Sequence, residues 1–267
     1  MKKFWAIFFM VWPVLAVATC AIAPSMNWWF PGAPMSRIGE RIDWLFYVIL
    51  AIVAVTFVGT QVALGYVLWK GATKAEDSSV AYNDGNHKLE VVWTIVPGIV
   101  LVFISVIQMD VWADFRITER YDEKARSEGP WMEVNARQFE WRMRYPAPGQ
   151  RLMNEEMPTD VHAVNEMHLP SGRPVIFNLR TMDVQHSFFA PELRIKQDAV
   201  PGKIIPMMVD IPTPGSYSLV CAELCGWGHY KMAATIVAEP EEEAKKYIRQ
   251  RQLEQNFDGV ELGSSDD

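Results

Sequence analysis

Two thiols, an imidazole and a thioether fall within twelve residues in Cys221-Ala-Glu-Leu-Cys225-Gly-Trp-Gly-His229-Tyr-Lys-Met232. A further imidazole, His186, stands 35 residues before Cys221 in Asp183-Val-Gln-His-Ser-Phe-Phe. Thiolate and thioether are soft donors and imidazole is borderline, a mixture that favours copper over hard cations. Steps of four, four and three residues between Cys221, Cys225, His229 and Met232 suit a loop wrapped round a small metal centre.

Four other chemistries compete for these residues. Two Cys and two His also make a tetrahedral zinc site, but a thioether is a poor zinc ligand and three of the donors sit together with one far away. A mononuclear blue-copper site needs one Cys, so a second would be surplus. A Cys221–Cys225 disulfide requires an oxidising compartment. A membrane-anchored copper chaperone of thioredoxin type shares the two spaced Cys, but its His lies far downstream of them. Cys20, the third Cys, sits in an apolar run and reads as a buried small hydrophobe. Three Cys make no disulfide framework, and no Cys-x-x-Cys-His is present to attach a haem c.

The donors need a scaffold, and the chain supplies it after residue 130. From Trp131 to Tyr145, Phe139, Trp141 and Met143 alternate with Gln138, Glu140, Arg142 and Arg144, as in a half-buried strand. Further short runs at Asn165–Leu169, Val175–Leu179, Ile204–Ile211, Tyr217–Cys221 and Ala233–Ala238 are bounded by Pro and Gly and predict a β-sandwich. From Pro240 to Gln255 the sequence predicts an exposed, charge-rich helix, and the last residues are acidic. His87, His162 and His168 fit no ligand pattern and read as surface or turn residues.

The first part of the chain is of another kind. Trp44 to Trp69 and Val91 to Met109 contain no charged residue and are long enough to cross a bilayer. The polar stretch Lys70 to Glu90 between them makes an antiparallel hairpin. Phe4 to Ala23 reads either as a signal peptide, with Ala21-Ile-Ala23 as its cleavage pattern, or as a retained first span. Pro24 directly after the cleavage pattern favours the retained helix. Lys70, Lys74 and Lys88 put the hairpin loop inside, and everything after Met109 outside.

The 267 residues carry a formal charge of −7, unevenly spread. Residues 1–109 hold 7 Lys and Arg against 6 Asp and Glu, and residues 110–267 hold 18 against 26. An acidic outer part disfavours nucleic acid and favours a basic protein partner.

The metal-loop sequence resembles the copper-A loop of the cytochrome c oxidase subunit II family. Leu89-Glu90-Val-Val-Trp93-Thr94-Ile-Val-Pro97, Asp183-Val-Gln-His186-Ser-Phe-Phe and Lys196-Gln-Asp198-Ala-Val-Pro201-Gly202 extend the resemblance over about residues 40–240. It implies a membrane-anchored all-β protein: a transmembrane helical hairpin, three helices if the first is retained, followed by a cupredoxin-like Greek-key β-barrel. The domains would be 1–39 (signal or extra membrane segment), 40–112 (hairpin), 113–240 (copper-A domain) and 241–267 (charged helix and acidic tail).

The resemblance also implies roles. Cys221 and Cys225 would bridge two copper ions, His186 and His229 would each bind one, and Met232 and the carbonyl of Glu223 would be weak axial ligands. The Glu223 side chain would help hold magnesium at the border with subunit I. Asp183 would either dock the donor or fix the loop by accepting backbone hydrogen bonds. Partners would be oxidase subunits I and III and a c-type cytochrome, in the bacterial inner (plasma) membrane rather than the mitochondrial inner membrane, with the copper domain periplasmic. Oxygen would be reduced to water on another chain. The alternatives are the copper-A subunit of a nitric oxide reductase and a membrane-anchored copper-delivery protein. A quinol oxidase subunit II shares the fold without the Cys ligands.

One departure stands out. Many members carry Gln-Trp-aromatic-Trp on the first strand, where the first Trp receives the electron, but this chain has Gln138-Phe139-Glu140-Trp141. Phe139, Trp141 and Trp227 are therefore the electron-entry candidates.

Overall fold

Long uncharged runs can satisfy their backbone in a bilayer only as helices or closed barrels, and here they are helices. The structure is a computed structural model and describes residues 2–26, 28, 32–74 and 84–256. The acidic chain end and part of the polar stretch before the third helix lie outside the described residues. Helices α1 (Lys2–Ile22), α2 (Arg37–Ala72) and α3 (His87–Arg116) are each long and apolar enough to cross a membrane. Pro13 and Pro97 lie inside α1 and α3. At Gly65 the backbone of α2 meets α1 so closely that a Cβ would stand 2.7 Å from the Met10 side chain and 2.9 Å from the Ala6 carbonyl. Such small residues let membrane helices approach. Cys20 is half-buried rather than enclosed.

By contact, Met1–Pro31 with Asp43–Asp110 form one unit, and Gly32–Ile42 with Val111–Asp267 form the other. In the second unit a short helix, α4 (Glu123–Glu128), capped by the Asp122 side chain on the Ala125 N–H at 2.9 Å, leads into the strands. These are β1 (Met132–Arg137), β2 (Glu140–Tyr145), β3 (Val161–Val164), β4 (Glu166–Pro170), β5 (Pro174–Thr181), β6 (His186–Ala190), β7 (Ile195–Ala199), β8 (Ile205–Asp210), β9 (Gly215–Cys221) and β10 (Ala233–Glu239). They form two five-stranded sheets, ordered β3-β2-β1-β5-β8 and β4-β10-β9-β6-β7. Neighbours are antiparallel except β1 with β5 and β10 with β4. Trp141, Tyr145, Phe177 and Phe188 fill the space between the sheets and are fully buried.

Gly32–Ile42 is stitched to this sandwich. Buried Ser36 caps α2 by accepting the Gly39 N–H at 3.0 Å, and its hydroxyl donates to the Leu193 carbonyl at 2.7 Å. The Met35 N–H donates to the Glu192 carbonyl, and Met35 and Ile38 pack on the core.

Several local expectations are corrected. Trp131–Tyr145 is not one strand but the β1–β2 hairpin, which turns at Gln138 and Phe139. The alternation misled because a two-residue turn keeps the period of two running through both strands. Strands β3, β6 and β7 had no separate sequence signal. Arg144 is buried, because the chain between β2 and β3 covers it: its guanidinium meets Glu133 at 3.1 Å, Asp160 at 2.7 Å and the carbonyls of Met153 and Glu155. His168 is also buried, with Nδ1 2.6 Å from Glu239, and its ring stacks on Tyr247 at 3.5 Å. Tyr247 belongs to the terminal helix α5 (Glu241–Asn256), which is docked rather than fully exposed: its own Ala244 and Ile248 are buried.

Candidate metal centre

Strand β9 delivers Cys221 to the end of the second sheet, and β6, its neighbour, begins with His186. The chain then loops through Cys225, makes a short 3-10 turn at His229–Lys231, and returns through Met232 into β10. One terminal hydrogen bond closes this loop, from the Cys221 N–H to the Met232 carbonyl at 3.0 Å.

The side chains converge in a mirrored arrangement. The two sulfurs stand 3.9 Å apart, as free thiols well beyond a bonded S–S distance. Cys221 Sγ has His186 Nδ1 at 3.8 Å and the Glu223 carbonyl at 3.2 Å. Cys225 Sγ has His229 Nδ1 at 3.6 Å and Met232 Sδ at 3.9 Å. Each sulfur thus has one imidazole and one weaker donor beside it. Ligand atoms of His186, Cys221 and Cys225 all lie within 4.8 Å of one another. His186, Cys221, Cys225 and Met232 are buried, while His229 and Glu223 are half-exposed. This donor chemistry fits copper: sulfur and imidazole nitrogen dominate, and among the described residues no carboxylate belongs to the cluster.

Charge is arranged to suit. Burial works to raise the Cys221 thiol, but the His186 imidazole and nearby backbone outweigh it and pull it down to about 6. Burial and the charge of Cys221 push Cys225 up to about 11. His186 is desolvated, which lowers it, yet contact with Cys221 and Asp183 raises it above the ordinary imidazole value. Its Nε2 lies 2.8 Å from Asp183 Oδ1, which leaves Nδ1 turned toward Cys221. Such a carboxylate partner fixes both tautomer and ring orientation in a ligating His.

Sequence reasoning missed the strap that holds the loop. The Gln138 N–H donates to Asp183 Oδ2 at 2.8 Å, and the Gln138 side-chain amide donates to the Cys225 carbonyl. Phe139 packs closely against the loop. A Cβ at Gly228 would stand 2.5 Å from its ring, and one at Gly226 (φ +136°) 3.1 Å. Both glycines are therefore required by close approach, and the Gly-Trp-Gly triplet was the available signal. Asp183 accepts backbone hydrogen bonds from Gln138 and Val184.

The three aromatic candidates occupy different places. Trp227 is 77% exposed and meets the edge of Phe139 at 5.1 Å between ring centres. The Lys231 ammonium sits over the Trp227 ring at 4.8 Å. Trp141 is fully buried, 6.4 Å from His186 between ring centres. Leu224 and Tyr230 on the same loop are exposed.

Comparison with known proteins agrees with this architecture. The family model for the cytochrome c oxidase subunit II transmembrane domain matches residues 23–111, and that for the periplasmic domain matches residues 138–239. An alternative cytochrome c oxidase subunit 2 of Bradyrhizobium diazoefficiens is 29% identical over 84% of each chain. A cytochrome c oxidase subunit 2 of Synechocystis is 25% identical over 80% of this chain and 73% of its own. The crystal structure of the periplasmic domain of cytochrome oxidase subunit II from Bradyrhizobium japonicum is 21% identical, covers 46% of this chain and 93% of that one, and superposes with a TM-score of 0.40. With both halves of the chain matched, it belongs to the cytochrome c oxidase subunit II family and is a membrane-spanning subunit of a respiratory haem–copper oxidase.

Proposed function

We propose that the chain is the electron-entry subunit of its oxidase. It takes electrons from a c-type cytochrome at a dinuclear copper-A centre and passes them to haem in subunit I, where oxygen is reduced to water. The observation that carries this reading is the mirrored donor set, two sulfurs 3.9 Å apart with one imidazole and one weak donor each.

Cys221 and Cys225 would hold both ions, and His186 and His229 one each. Met232 and the Glu223 carbonyl would be the weak axial donors. When bound, the copper pair supplies a one-electron carrier whose bonds hardly change length with redox state. The residues of the chain keep that geometry still. Asp183 locks the His186 ring, Gln138 tethers the loop at Cys225, and Phe139 braces Gly226 and Gly228. Trp141 and Phe188 pack behind His186 and exclude water. The Glu223 carboxylate has no partner among the described residues, and we assign it to a magnesium ion shared with subunit I. Magnesium takes one or two carboxylates and water, so the other ligands come from outside this chain.

The donor's contact point is Trp227, through Phe139. Trp227 is exposed and lies on the loop, whereas fully buried Trp141 cannot touch a docked protein. Subunit III and the periplasmic face of a bacterial inner membrane complete the setting, supported by Lys70, Lys74 and Lys88 clustering on the other side. Metal analysis of the purified complex tests the reading. We expect two coppers per chain and an electron spin resonance spectrum with the unpaired electron spread over both. One copper, readily lost to a chelator, would indicate a delivery protein instead.

A further inference from the structure

A cavity of the β-domain lies away from the metal loop, and the electron-transfer reading does not use it. It encloses about 430 Å³ between α4, the chain after β2, the start of β5 and α5. That volume falls in the range of small-molecule sites. Strand β1 leads from its wall at Trp131 to Gln138 beside the metal loop, roughly 20 Å away at about 3.3 Å per residue.

The lining combines apolar and charged residues. Pro130, Pro146 and Pro148 face the cavity with Trp131, Ile176 and Ile248. Proline carries no amide N–H, and the Trp131 indole N–H is already given to the His168 carbonyl at 3.1 Å. These residues offer an occupant apolar contact. Four cations, Arg151, Arg173, Lys245 and Arg249, and two carboxylates, Glu128 and Glu241, line it as well. Two of the cations are already committed. Arg173 is paired with Glu128 and Glu241, each at 2.8 Å, and Lys245 with Glu241 at 2.8 Å. Arg151 and Arg249 are exposed and have no ion-pair partner among the described residues. With two unspent guanidinium groups and four basic against two acidic residues in its lining, the cavity is a local exception in a part of the chain with 18 basic against 26 acidic residues. Guanidinium matches carboxylate in shape and charge.

We propose that this cavity binds a small amphiphile with an apolar body and one carboxylate head, the body against the prolines and Trp131 and the head between Arg151 and Arg249. The test uses the full chain in lipid nanodiscs and a dodecanoate bearing a photoreactive diazirine in its tail. After irradiation, label should appear on residues 146–151 and on α5. Unlabelled dodecanoate should compete, while dodecyl maltoside and dodecylammonium should not. The double variant Arg151→Glu/Arg249→Glu alters only exposed side chains and should lower cavity labelling at least tenfold, with labelling of α1–α3 unchanged. Labelling confined to α1–α3 is bilayer partition and overturns the proposal. Equal competition by the uncharged amphiphile, or full labelling of the double variant, overturns it as well. The copper content of the chain reads separately on the electron-entry assignment and is expected to be the same in both proteins.

Discussion

The metal loop and the Arg144 cluster are both buried polar sites in the same β-domain, yet they are finished to different degrees. Around Arg144 every group is answered within the chain. Its guanidinium holds Glu133, Asp160 and two carbonyls, and Glu133 also accepts from Asn135 at 2.9 Å. At the loop the side-chain contacts are one thiol to the Glu223 carbonyl at 3.2 Å and sulfur to nitrogen or sulfur at 3.6 to 3.9 Å, too soft and long to hold much by themselves. The backbone and the Gln138–Asp183 strap fix the loop, and on the proposed reading its sulfur and imidazole donors hold the copper pair. One site stabilises the fold. The other, on that reading, is shaped by the fold to hold metal.

That contrast gives three expected outcomes. The largest is Cys221→Ser, which should abolish the two-copper signal and electron transfer from the donor. The melting temperature of the metal-free protein should change little, because no strong hydrogen bond is lost. His87→Ala, far away in sequence, should leave the copper content whole. If metal-free Cys221→Ser unfolded several degrees early, the loop would be a structural element and the contrast would fail.

Next is Asp160→Ala. It strips a partner from a guanidinium whose side chain is 3% exposed. Breaking a buried pair this way costs about 3–5 kcal/mol, which denaturant titration would detect, while the molecules that remain folded should still take up copper in full. A loss under about 1 kcal/mol would mean that the cluster is wetter than it looks.

The smallest effect separates the two rings on the loop. Trp227→Phe should slow oxidation of the donor cytochrome about tenfold without altering the copper spectrum, and added salt should slow the parent further by screening the acidic surface. Phe139→Ala should alter the copper spectrum as well, since it removes the brace on Gly226 and Gly228. Parental rates in Trp227→Phe would move the donor's contact elsewhere.

Legibility in the sequence followed the same division. Cys221, Cys225, His229 and Met232 could be read together because their chemistry is unusual and crowded, and the three long apolar runs declared themselves by length. Gln138 could not, and Asp183 was legible as an acceptor of backbone hydrogen bonds but without its partners, because the strap's bonds join segments 45 and 87 positions apart. Arg144 was misread because alternation describes which side of a strand a residue faces, not whether a later stretch of chain covers that side. Strand β6 stayed hidden because it is buried on both faces and so does not alternate. In α5, Ala244, Tyr247 and Ile248 form a short inward stripe at helical spacing, masked by the charges around it.

The seam at Ser36 has a consequence for how the chain is made. Its partner carbonyl, Leu193, is translated 157 residues later. At roughly 5–20 residues per second, Ser36 waits about 8 to 30 s on the ribosome before its partner exists. The first turn of α2 must spend that interval outside its final setting, and the seam can close only after strand β6 and the turn that follows it have been made.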